Sequence, residues 1–199
     1  MSGLLQVPIT SAYEAECAES GGADRLLLAS LDDLTPPLDL VTKVRAASTV
    51  HLRVVLRTRI GFITDGAEMT KLKGMVSACR DAGVDGFVFG FLNALSGIDR
   101  AACIELAGDD LWGWTFDRAI DAALNQDLAW QDLTGLPRLD SVMSAGSARE
   151  VEQGLDRLID RATHFPVIAT GNLTPEQIPW LARGGVTRFQ IERTPAADR

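Results

Sequence analysis

Short apolar runs alternate with longer amphipathic stretches along the whole chain. Runs rich in Val, Leu, Ile and Phe at residues 4–9, 25–29, 52–56, 86–91, 111–116, 139–143, 167–169 and 188–191 predict eight strands. Between them, residues 13–20, 38–47, 67–82, 100–107, 129–133, 148–162 and 175–183 predict helices. Local punctuation agrees: Gly83 and Gly184 follow helices, and Thr174-Pro175 with Glu176 opens one. Such alternation implies parallel strands joined by right-handed helical crossovers. Eight units predict a TIM-type (β/α)8 barrel of class α/β, with an open doubly wound sheet as the alternative. No linker or low-complexity stretch interrupts the pattern, so one domain over residues 1–199 is expected. Only Arg193 to Arg199 follow the last predicted strand, too few for a full eighth helix. A barrel without that cover exposes apolar surface beside its first and last strands, and a homodimer is one way to bury it.

Composition narrows the function. The 199 residues are 46% hydrophobic, enough for one sizeable core. Nineteen Lys and Arg against 27 Asp and Glu leave a formal charge of −8. That surface repels phosphate backbones and anionic lipid heads, so neither nucleic acid nor membrane is expected as a partner. No apolar run reaches the length of a bilayer span, and residues 1–6 carry no basic segment of the signal-peptide kind. Cys17, Cys79 and Cys103 are widely spaced and form no CxxC, which suggests reduced thiols in a cytoplasmic protein. The glycines form neither GxGxxG nor a P-loop, so nucleotide binding by those motifs is excluded.

Several segments carry a resemblance. Gly22-Ala23-Asp24-Arg25 with Leu34-Thr35-Pro36 resembles the GADR…GGLTP stretch of the CutC copper-homeostasis family. Leu56-Arg57-Thr58-Arg59-Ile60-Gly61-Phe62, then Asp65-Gly66, is similar to its IRPRGGDF…SDG loop. Asp85-Gly86-Phe87-Val88-Phe89-Gly90 resembles DGVVFG, Thr115-Phe116-Asp117-Arg118-Ala119-Ile120-Asp121 resembles TFHRAFD, and Val142-Met143-Ser144-Ala145-Gly146 resembles VLTSG. The matches run in family order over nearly the whole chain. The resemblance implies a TIM barrel, a cytoplasmic location and a link to copper homeostasis, without a firmly assigned reaction. It also exposes departures. Gln6-Val7-Pro8 stands where the family has EVC, Leu27-Leu28-Ala29 where it has ELC, Arg53 and Asp117 where it has His, and Gln190 where its last strand carries His. Copper is thus implied by resemblance alone, and the family-type ligand positions are lost. No cofactor is evident, and no metal ligands are assigned.

Side chains of a strand alternate between faces, so parity sorts the candidates. Arg53, Val55 and Arg57 share one face of the third strand, taken as the lumen; Leu52, Val54 and Leu56 face the helices. Thr115 and Asp117 share the lumen face of the fifth strand, while Trp112, Trp114 and Phe116 face outward. Gln6, Leu27 and Ala29 face inward by the same matching. The C-terminal mouth, where barrel chemistry sits, then holds Arg57, Arg59, Asp117, Arg118, Asp121, Ser144 and Glu192.

Guanidinium forks pair bidentately with planar anions, so this mouth favours a small anionic metabolite. In an enzyme, Asp117 would act as base with Arg57 and Arg118 as anion clamps; adjacent arginines would depress its pKa and oppose that role. Arg59, Arg53, Ser144, Gly146, Gly171 and Asn172 are the candidate substrate-binding residues, the last three for backbone N–H groups that would cradle an anion. The alternatives are a salt-bridge pairing of the Arg57 and Arg59 motif with Asp65 and Glu68, and an ion network of Asp117, Arg118 and Asp121 that only holds the fifth loop. Three functions stay open: a binding protein, a metal-independent lyase, isomerase or hydrolase, and a catalytically silent relative.

Overall fold

The computed structural model describes residues 3–108 and 113–191. Its eight strands are β1 (Leu4–Ile9), β2 (Arg25–Leu28), β3 (His51–Val55), β4 (Gly86–Phe89), β5 (Trp114–Phe116), β6 (Leu139–Ser144), β7 (Val167–Ala169) and β8 (Arg188–Gln190). They pair in sequence order, all parallel, and β8 closes on β1. The closed (β/α)8 barrel is therefore the architecture, and the open sheet is excluded. Helices α1 (Ala12–Ser20), α2 (Leu38–Ala47), α3 (Gly66–Asp81) and α4 (Arg100–Ala107) occupy the first four crossovers. Next come α5 (Ala119–Ala122), α6 (Gln126–Leu133), a 3-10 turn at Val151–Gln153, α7 (Leu155–Ala162) and α8 (Ile178–Arg183). Residues 111 and 112 of the predicted fifth strand, Glu192, and the 193–199 tail lie outside the described residues.

Helix starts follow local chemistry. Ser11, Asp65, Asp99 and Asn125 each accept a hydrogen bond from the backbone N–H three residues on, which satisfies a donor the helix cannot. The predicted helix over 148–162 is broken because Gly154 packs its backbone against that of Gly146, leaving no room for a Cβ at either residue. The four residues of α5 are too few to show a helical period, and the pattern missed them.

Strand parity divides the apolar residues into two shells, as alternation predicts. Leu26, Leu28, Leu52, Val54, Phe87, Phe89, Trp114 and Phe116 join the sheet–helix core, where Phe89 stacks on Trp114 with ring centroids 4.1 Å apart. Leu27, Ala29, Val55, Val88, Met143 and Ile168 form a separate cluster inside the barrel. This inner layer separates polar groups at the two ends of the lumen.

Candidate functional site

The mouth is built from the ends of β3, β5 and β6. Thr35 clamps the end of β3: its hydroxyl accepts from the Arg57 N–H at 2.8 Å, and its own N–H donates to the Arg57 carbonyl. That fixes Arg57 over the lumen, with the Phe62 ring 4.6 Å from its guanidinium carbon. Arg57 Nη2 donates to Asp117 Oδ2, forming an ion pair. Asp117 Oδ1 accepts from the Ala119 N–H at 2.8 Å, at the start of α5. Gly90 is required here, because a Cβ at that position would collide with Asp117 Oδ1 and the Phe116 ring.

Asp117 is only 5% exposed. Burial raises its pKa, and Arg57 with the Ala119 N–H offsets part of that rise. Beside it, Arg118 Nε donates to Asp121 Oδ2 at 2.9 Å, and Arg118 Nη2 donates to the Arg149 carbonyl. Burial also raises Asp121, while hydrogen bonds from the Ala145 N–H and the Ser144 hydroxyl and the ion pair with Arg118 lower it.

A cavity of about 390 Å³ opens between these groups. Leu27, Ala29, Val55, Val88 and Met143 line its apolar part, while Arg57, Arg118, Asp33, Asp117, Thr10, Thr170 and Gln190 supply polar groups. Arg57, Asp117 and Arg118 are thus brought together, as the sequence proposed. Ser144 is fully buried and occupied by Asp121, and its oxygen accepts from the Gly146 N–H, so neither group is turned to the cavity.

Arg59 points away from the cavity, pairing with Asp65 and Glu68 at 2.9 Å each. That ion pairing was the alternative for the Arg57 and Arg59 motif, and the structure places Arg59 in it. Asn172 gives its side-chain amide to Glu150, and the Gly171 carbonyl accepts from Val151. Arg53 is displaced furthest from expectation. It sits below the apolar layer, bonded to Asp140, Thr115 and His51, at the opposite end of the lumen from the mouth. Sequence reasoning did not single out Thr10, Phe62 and Thr170. Parity with Pro8 and Ile168 would have found both threonines.

The donors do not fit copper. Gln6 and Gln190 occupy two departed ligand positions and bond to each other at 2.7 Å; Gln190 also donates to Thr170. The soft atom beside them is the Met143 sulfur, 3.5 Å from Gln6 Nε2. Copper(I) favours thiolate and thioether sets rather than amides and hydroxyls. Burial pushes the Cys79 thiol up to about 11 and the Cys103 thiol up to about 12, away from the thiolate form that binds metal. Cys79, Cys103 and exposed Cys17 all lie on helices outside the lumen.

Among the described residues no helix is long and apolar enough to cross a membrane. Comparison with known proteins supplies the family. The CutC family profile matches residues 4–192. A CutC family protein of Aliivibrio fischeri is 30% identical over 187 residues, covering 88% of this chain and 75% of the relative. The human copper homeostasis protein cutC homolog is 29% identical over 205 residues, covering 98% of this chain and 75% of the relative. The crystal structure of a Streptococcus agalactiae protein, described as a copper homeostasis protein CutC, superposes with a TM-score of 0.84 at 17% identity. That match covers 94% of this chain and 97% of that one. The chain belongs to the CutC family.

Proposed function

We propose that the barrel mouth binds a small metabolite bearing a carboxylate or phosphate. The observation that carries this reading is the 390 Å³ cavity with guanidinium groups on its wall and hydrocarbon beneath them. Asp117 takes Nη2 of Arg57, which leaves the Nε and Nη1 donors of that fork for a ligand anion. Thr10 and Thr170 add hydroxyls, and the apolar layer suits the carbon skeleton of a metabolite rather than a bare ion. The copper-homeostasis name of the relatives then describes a process, while the donors in this lumen suit an anion.

An enzymatic reading rests on Asp117 itself. Its burial raises the pKa toward the range of a general acid or base, and it faces the same cavity as the arginines. Asp117→Asn would abolish turnover in that case while leaving anion binding in place.

The test is a thermal-shift panel of small sugar phosphates and carboxylates beside copper(I) and zinc, on reduced protein. A ligand specific to the folded state adds about 2.7 kcal/mol of apparent stability at a hundredfold excess over Kd. The expected result is a saturable shift with one of the anions that is lost in Arg57→Lys, which keeps the charge but not the fork. A saturable shift with copper(I) alone would overturn the reading.

A further inference from the structure

The opposite end of the lumen holds an arginine that neither the fold nor the mouth uses. Arg25 opens β2 and is only 8% exposed. Its Nε and Nη1 are buried without a hydrogen-bond partner. Arg53, on the adjacent strand, already has its fork spent on Asp140 and on the Thr115 hydroxyl. Arg188 opens β8 and donates to the Asp140 backbone carbonyl at 3.2 Å rather than to its carboxylate. Asp140 is the extra residue where the β5–β6 register shifts. Asp140 is therefore the carboxylate that these three guanidiniums share; Asp85, the other carboxylate that acts on His51, is taken by Arg45 and the Leu52 N–H.

The crowding registers on Arg25, whose guanidinium is pushed down to about 10 by burial and then by Arg53 and Arg188. His51 adds no anion; its imidazole is held below the usual range by burial, Arg25 and Arg53. A buried guanidinium without an acceptor is costly unless something supplies one.

We propose that the base of the barrel binds a small oxyanion of phosphate or sulfate size, with Arg25 and Arg188 as its donors and Arg53 held behind them by Asp140. A tetrahedral oxyanion offers several acceptors to adjacent forks, which a single chloride does not. Entry is from the base, where His51 and Arg188 are partly exposed. The apolar layer around Val55, Val88 and Ile168 separates this site from the mouth, so the two sites are independent. The N-terminal face of such barrels governs stability rather than chemistry, so the anion is expected to act as a stabilising effector.

The experiment titrates inorganic phosphate into the full chain by calorimetry, with sodium chloride matching the ionic strength. Saturable binding to one site is expected, weakened about tenfold or more in Arg25→Met and in Arg188→Gln by the loss of charge-assisted hydrogen bonds. Arg25→Met removes a guanidinium whose Nε and Nη1 have no acceptor, so it should fold; Arg188→Gln, at the partly exposed rim, is the second probe. Lys73→Gln, which removes an exposed charge on α3 outside both clusters, should bind phosphate as the wild type does. No saturable binding, or binding retained in both basal variants, would overturn the proposal. Loss in Arg57→Lys alone would overturn it too, by moving the anion to the mouth.

Discussion

At the mouth Arg57 pairs with Asp117 and Arg118 with Asp121, and Asp33 adds a further carboxylate to the cavity wall. At the base Arg25, Arg53 and Arg188 share Asp140. Both ends belong to the same barrel, and glycines at the start of β4 and just after its end make room for both: Gly86 beside Arg53, Gly90 beside Asp117. The difference lies in how charge is met. Matched pairs at the mouth hold their arginines in place while leaving unspent N–H donors aimed at a cavity. The base instead buries positive charge in excess of its own carboxylate, which makes it depend on that carboxylate and favours an outside anion. Position along the lumen, rather than residue type, decides which role an arginine takes.

Removing the shared acid is the largest perturbation. Asp140→Asn leaves three guanidiniums without a carboxylate, and a broken buried pair costs several kcal/mol. The Asp140 side chain is 35% exposed, so water discounts that cost to about 3 kcal/mol. Urea unfolding would show this as a lower midpoint at unchanged slope. Phosphate should restore part of the loss, because it supplies acceptors to the same cluster. A variant as stable as wild type would mean that the base is not short of negative charge.

The matching change at the mouth should cost less. Asp117→Asn keeps an acceptor for the Ala119 N–H and loses only the ion pair with Arg57, whose side chain is 19% exposed and can be hydrated. A loss of at most about 1.5 kcal/mol near neutral pH is expected, the lower end for a charge-assisted hydrogen bond, because the burial that raises Asp117 works against its ionised form. If this variant fell as far as Asp140→Asn, the contrast between the two ends would fail.

The sequence made one end of this comparison legible and hid the other. Alternation with a period of two assigned Arg57 and Asp117 to the lumen, because both extend strands whose outward neighbours are large and apolar. Arg59 has the same parity, but the chain leaves β3 after Val55 and the loop turns Arg59 to Asp65 and Glu68. Arg53 shares the lumen face too. Parity reports the face and not the depth, and depth follows from strand register: Arg53 pairs with Gly86 of β4 and with Leu27, the lower edge of the apolar layer on β2, while Val55 and Val88 of that layer pair further along the same strands. The bulge that inserts Asp140 shifts pairing by one residue, and nothing in the local pattern marks it. A basal cluster assembled from β2, β3, β6 and β8 could therefore be seen only once the barrel had closed.

The smallest effect is also the sharpest test, because the two ends should answer acid in opposite directions. Asp117 is raised above its ordinary value, by burial above all. A raised carboxyl contributes stability that is fully present below the unfolded value, about 3.9, and is lost as pH rises through the folded value. The advantage of wild type over Asp117→Asn should therefore shrink as pH climbs from about 4 toward neutrality. Asp140 is lowered: burial pushes it up, but the hydrogen bonds and charge of Arg53 outweigh that. Its contribution is present above about 3.9 and is lost as pH falls through the folded value. The advantage of wild type over Asp140→Asn should accordingly shrink toward acid. Urea midpoints of the three proteins across this range decide the matter, since each variant cancels every titration except its own. Two differences that moved in the same direction would mean that the carboxylates sit in like environments, and that the ends of the lumen are not electrostatically distinct.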